Sequence, residues 1–145
     1  MAGLPRVVAS GKRIAEVRGT DMYLLTVELW SPNQVTVRLV GELNDRMRSA
    51  VASYHAAMES LSPDRGRDAV PRSPGEELFK ALQVRLSDEV GTAYNWESGS
   101  SGGTGQELLC EWRFRASHEL HGNRLTLTVT SSEGVGGSEE IVFPS

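Results

Sequence analysis

The sequence predicts a mainly β protein, an antiparallel sandwich of about seven or eight strands with one inserted α-helix. Three observations predict it. Apolar and polar residues alternate in short runs, the runs are separated by Pro, Gly, Asn and Ser, and a single stretch switches to helical spacing. A strand with one apolar face needs a second sheet to cover that face, so two packed sheets are the simplest solution, and a half-open barrel capped by the helix is the alternative. At 145 residues the chain is expected to form a single β-sandwich domain, 1–145, around one core. Its 15 glycines and 6 prolines suit many turns better than a helical bundle.

The first strand is YLLTVELW, Tyr23–Trp30, in which Tyr23, Leu25, Val27 and Leu29 share one face and Leu24 and Trp30 the other. Ser31-Pro32-Asn33 supplies turn chemistry, and QVTVRLV then alternates through Val35, Val37 and Leu39, so the two runs should pair as a hairpin. After Leu43 the period changes. Met47, Val51, Tyr54, Met58 and Leu61 are spaced 4, 3, 4 and 3, one apolar stripe on a helix of about 44–61, with Asn44 or Asp45 as its N-cap. Residues 62–76 are crowded with Pro, Gly and charge and read as an exposed, flexible linker. Leu82, Val84 and Leu86 mark the next strand, Tyr94 and Trp96 another, and ESGSSGGTGQE after them reads as a flexible hairpin loop. Leu108, Cys110, Trp112 and Phe114 share one face of a further strand, and Leu125, Leu127 and Val129 share another. EEIVFPS closes the chain as a short edge strand able to accept a partner by strand addition.

SDEVGTAYNW, the glycine-rich run after it, CEWRFRAS and RLTLTV stand in an order that resembles the uncharacterised immunoglobulin-like β-sandwich proteins of high-GC Gram-positive bacteria. There an acidic pair leads into Gly-Thr-x-Tyr, followed by a glycine-rich loop, a Trp-x-Phe strand and a Leu-x-Leu strand. The resemblance covers Leu82 to Val129, and TVELW more loosely. It implies an immunoglobulin-like sandwich and carries no shared activity. The helix and the Pro-rich segment depart from its simplest pattern.

A net charge of −4 argues against a broad surface for phosphates, so no nucleic-acid partner is expected. Cys110 is the single cysteine, which excludes an internal disulfide and suits a reducing compartment. No run of about 18 apolar residues occurs, so no membrane span is expected and the protein reads as cytoplasmic.

Asp88, Glu89 and Gly91 fall between two strands and read as a tight turn. The metal-binding alternative is calcium at the sandwich end on Asp88 and Glu89, joined by Glu97, Glu107 or loop carbonyls, since Ca²⁺ takes six to eight oxygens. His118, His121 and Cys110 would suit zinc by residue type, but Cys110 alternates with Leu108 and Trp112 and belongs to the core as a small hydrophobe. His55 should face solvent. Trp112, and Trp96 with it, should pack in the core. No nucleophile elbow, zinc-protease helix or phosphate loop occurs, and adjacent acids such as Glu139 and Glu140 point to opposite faces of a strand.

The functional expectation is therefore a non-enzymatic protein-interaction module without a cofactor, serving a protein partner or a homo-oligomer. The alternative is a calcium- or small-ligand-binding module near Asp88 and Glu89. The helix is expected to dock on the outer sheet face over Leu24 and Trp30. Leu24, Trp30, Val51 and Tyr54 are the candidate interaction residues.

Overall fold

The computed structural model describes residues 4–60, 72–102, 108–120 and 122–144. Among these, nine strands and two helices run in the order β1 (Arg6–Ala9), β2 (Arg13–Val17), β3 (Thr20–Trp30), β4 (Gln34–Gly41), α1 (Asp45–Glu59), α2 (Pro74–Lys80), β5 (Leu82–Ser87), β6 (Tyr94–Ser101), β7 (Leu109–Ala116), β8 (Arg124–Ser131) and β9 (Gly137–Val142). The strands form two antiparallel sheets. The larger is ordered β1-β3-β4-β7-β6 with β2 also on β3, and the smaller is β5-β8-β9. The chain is thus mainly β as expected, with nine strands in place of seven or eight and two helices in place of one.

The extra strands are β1 and β2, which occupy successive lengths of one edge of β3. Between them Ser10 and Gly11 donate to the Leu25 and Leu24 carbonyls at 2.9 and 2.7 Å, so pairing continues through the break. β2 turns into β3 through Arg18 and Gly19, with φ of 49° and 81°. Two positive φ angles in a two-residue hairpin match the right-handed twist of the strands it joins. The expected β3–β4 hairpin forms, from Met22 opposite Gly41 to Trp30 opposite Gln34.

One detail of β3 corrects the expectation for Leu24. A bulge between Leu24 and Thr26 inserts an extra residue, which reverses the alternation along the strand. Val27 and Leu29 face the core as expected, but on the far side of the bulge it is Met22 and Leu24 that are buried. Tyr23 is half-buried and Leu25 is exposed. Leu24 is therefore a core residue with nothing to offer a partner.

The core lies between the sheets, built from Met22, Leu24, Val27, Val35, Val37, Leu39, Cys110, Phe114, Leu125, Leu127, Val129 and Ile141 among others. Three strands cannot cover a sheet five positions wide. The deficit is met in part by α2, whose Leu78 is buried and whose Phe79 stacks on Trp112 of β7 with ring centroids 5.0 Å apart. Ser73 caps α2 by accepting from the Glu76 N–H at 3.1 Å, Pro74 sits in its first turn, and Ala81 ends it. This helix corrects the end of the expected linker: residues 74–76 are its first turn, 62–71 lie outside the described residues, and Phe79 is helical.

α1 begins where expected, with the Asn44 side chain accepting from the Met47 N–H at 2.9 Å. Its docking differs. Met47 is buried, Val51 and Tyr54 are half-buried and Met58 is 37% exposed. The helix packs against α2. The outer face of the larger sheet carries ion pairs instead: Arg38 Nε lies 3.5 Å from Glu28 and 3.1 Å from Glu111, and Arg113 lies 2.7 Å from Glu111. Leu61 lies outside the described residues.

Candidate functional site

The two sheets meet differently along their two long sides. On one side β2 packs against β8 and β9. Ala15 bridges to Gly136, the Glu16 N–H donates to the Val135 carbonyl at 3.4 Å, Lys12 Nζ pairs with Glu139 at 2.9 Å, and the Arg6 guanidinium lies 5.8 Å over the Phe143 ring. A Cβ on Gly136 would lie 2.0 Å from the Val129 carbonyl oxygen, so the close passage of this backbone over β8 requires glycine. These ties flank the C-terminal strand, including the edge expected to accept a partner. The cleft left between them, about 380 Å³, is bordered by Lys12, Arg13, Ser138 and Glu139.

On the other side β5 and β6 are the sheet edges, and each pairs with one strand, β5 with β8 and β6 with β7. Between them lies a groove of about 350 Å³ lined by Phe79, Lys80, Leu82, Gln83, Val84, Trp96 and Trp112. Trp96 is opposite the buried Phe114 and so shares its inward face, yet it is 58% exposed. Among the described residues the smaller sheet has no strand to lay over it. This corrects the expectation that Trp96 is a core residue, while Trp112, 4% exposed under the Phe79 ring, is core as expected. β6 also runs further than expected, taking residues 97–101 of the anticipated loop. Small residues there serve a purpose, since a Cβ on Gly99 would lie 2.4 Å from Phe79 Cζ.

The turn joining β5 to β6 is the acidic corner. Asp88 Oδ1 accepts from the Val90 and Thr92 N–H groups at 3.1 and 3.0 Å, and Oδ2 accepts from the Tyr94 hydroxyl at 2.9 Å. Burial pushes the Asp88 carboxyl up, but these bonds outweigh it and hold the group at about 2. Burial, then the hydrogen bond and charge of Asp88, raise Tyr94 above its ordinary value. The buried Thr92 hydroxyl stands 3.2 Å from His118 Nε2, whose other ring nitrogen is 2.9 Å from the Glu119 carbonyl oxygen. Gly91 has φ 75°, as the turn reading anticipates.

The corner is a closed hydrogen-bond knot, and both Asp88 oxygens are occupied. Glu89 is exposed beside it, Glu97 pairs with Arg115 at 3.0 Å, and Glu107 and His121 lie outside the described residues. Among the described residues no three His, Cys, Asp or Glu side chains gather as a metal would require. Cys110 is buried as expected, its Sγ is 3.6 Å from the Gly75 carbonyl oxygen, and burial pushes its thiol up to about 12. His55 is exposed, with its ring 5.6 Å from that of Tyr54. Trp30 is 38% exposed and donates from Nε1 to Glu28 at 3.2 Å. Leu24, Trp30, Val51 and Tyr54 form no joint surface, because Leu24 lies in the core, Trp30 on the outer sheet face and the other two on α1.

No family model matches the chain, and no curated protein or solved structure matches it. Among the described residues no helix is long and apolar enough to cross a membrane. The groove residues missed in the sequence had one readable signal. Ser73-Pro74-Gly75-Glu76 has the spacing of a capping box, which announces a helix carrying Leu78 and Phe79.

Proposed function

We propose that this protein is a non-enzymatic interaction module that takes an extended segment of a protein partner as a fourth strand on the edge of β5 that no described strand pairs. Trp96 carries the reading: 58% exposed on the inward face of β6, it borders the groove at the point where the smaller sheet ends. An added strand would pair with the open backbone groups of β5 and cover Trp96 in one step.

The three groups with shifted proton affinity favour no acid–base role. Cys110 and Tyr94 are held away from their ionised forms and Asp88 away from its protonated one, so none of them exchanges a proton readily near neutral pH. A lone thiol suits the cytoplasm, and a net charge of −4 favours a protein partner over nucleic acid. Kinship with immunoglobulin-like sandwiches of high-GC Gram-positive bacteria belongs to the same proposal, supported by the way the D-E-x-G-T-x-Y, W-x-F and L-x-L segments fall on the corner, β7 and β8.

Affinity capture from the native host, with the wild-type chain and with Trp96→Ala, tests the reading by quantitative mass spectrometry. Partners enriched by the wild type and lost with Trp96→Ala are expected. The same partner set for both proteins, or no stable partner together with a monomer at high concentration, overturns it.

A further inference from the structure

We infer that the strand taken by the open side alternates bulky apolar residues, facing Trp96 and Trp112, with acidic residues facing outward opposite Arg85. This rests on the reading of that side as a strand-binding edge.

The inward half follows from the lining. Leu82 and Val84 form one wall, Trp96 the other, and the Phe79–Trp112 stack closes the α2 end, so a side chain entering the groove exchanges water for aromatic and aliphatic surface. The outward half follows from β5 itself. Gln83, Arg85 and Ser87 are its exposed positions, alternating with the buried Leu82, Val84 and Leu86. Arg85 stands opposite the uncharged Thr128 of β8, so its cross-strand neighbour there gives it no counter-charge. On the free side of β5, the residue of an added strand next to Arg85 would be its second cross-strand neighbour, and a carboxylate is the favourable choice. Lys80 adds positive charge at the α2 end, although Glu76 lies 3.3 Å from its Nζ. Arg85 is thus a local positive charge on a chain of net charge −4, which favours an acidic residue beside it over a basic one.

The experiment uses the full chain and three fluorescein-labelled heptapeptides read by anisotropy: Glu alternating with Val, Trp and Val; the same with Lys for Glu; and the first with Ala for Trp. The acidic Trp peptide should bind at least about tenfold tighter than either of the others, and Trp96→Ala in the protein should weaken it by about tenfold or more. Arg85→Glu, at an exposed position that leaves the fold intact, should invert the preference between the Glu and Lys peptides. Equal binding of the Glu and Lys peptides, still dependent on Trp96, overturns the acidic preference and leaves the strand-binding reading standing. If no peptide binds, both fall. Self-association lost with Trp96→Ala in sedimentation would assign the groove to a second copy of the chain and overturn the inference.

Discussion

Along the β1/β2–β9 side the sheets are tied by a backbone bridge, an ion pair and a cation over an aromatic ring, whereas along the β5–β6 side they are joined by a turn and a seven-residue helix. The difference comes from strand number. On the first side β2 packs against β8 and β9, and on the second the smaller sheet ends, among the described residues, at β5. α2 fills part of the shortfall with Leu78 and Phe79, and the remainder is the groove in front of Trp96. A two-layer protein with unequal sheets therefore leaves inward-facing surface uncovered on one side, and that surface is where a partner strand gains most.

On the tied side, Gly136→Ala places a methyl against the backbone of β8, with Val129 and Thr130 in the way, and should cost about 3 kcal/mol in chemical denaturation. A loss below about 1 kcal/mol would show that this side yields readily and is no more fixed than the other.

On the open side, Phe79→Ala removes the ring that stacks on Trp112 and should cost about 2 kcal/mol, less than a fully buried phenylalanine because Phe79 is half-buried. Gly99→Ala should destabilise the wild type and be close to neutral once Phe79 is alanine, because the clash it creates is with that ring. Additive effects in this double-mutant cycle would mean that α2 does not close the open side through Phe79.

The Asp88 corner is the covalent link on that side. Its carboxyl is held at about 2 against an ordinary value of 3.8, so its contribution is present in full above about pH 4 and is lost as pH falls through 2. Allowing for solvent at a partly exposed group, Asp88→Asn should cost about 1 kcal/mol at pH 7 and flatten the fall in melting temperature between pH 4 and 2. An unchanged acid profile would place that stability elsewhere.

The smallest expected effect is the most specific. Trp96→Ala should shift stability by less than about 0.5 kcal/mol, since an exposed ring is not holding the core, while removing peptide binding. A loss of several kcal/mol would make Trp96 a structural residue and erase the contrast between the two sides.

Local signals were enough to place the hairpin of β3 and β4, the strands β5, β7 and β8, the start of α1 at Asn44 and the burial of Cys110, because alternation, caps and turn residues act within a few positions of one another. They left the phase of β3 ambiguous. YLLTVELW carries leucine on both faces, and the bulge that chose Leu24 over Leu25 answers to pairing with β4, not to local spacing. The length of α1 was legible, but its docking was not, since a stripe of apolar residues does not say which surface will meet it. The start of α2 is written in the Ser73–Glu76 capping box, but its stacking on Trp112 and the groove beside it come from long-range packing. Whether Trp96 is covered depends on how many strands the opposite sheet supplies, and that count is set by contacts between residues far apart in the chain, such as Leu82 with Ser131 and Thr126 with Glu140.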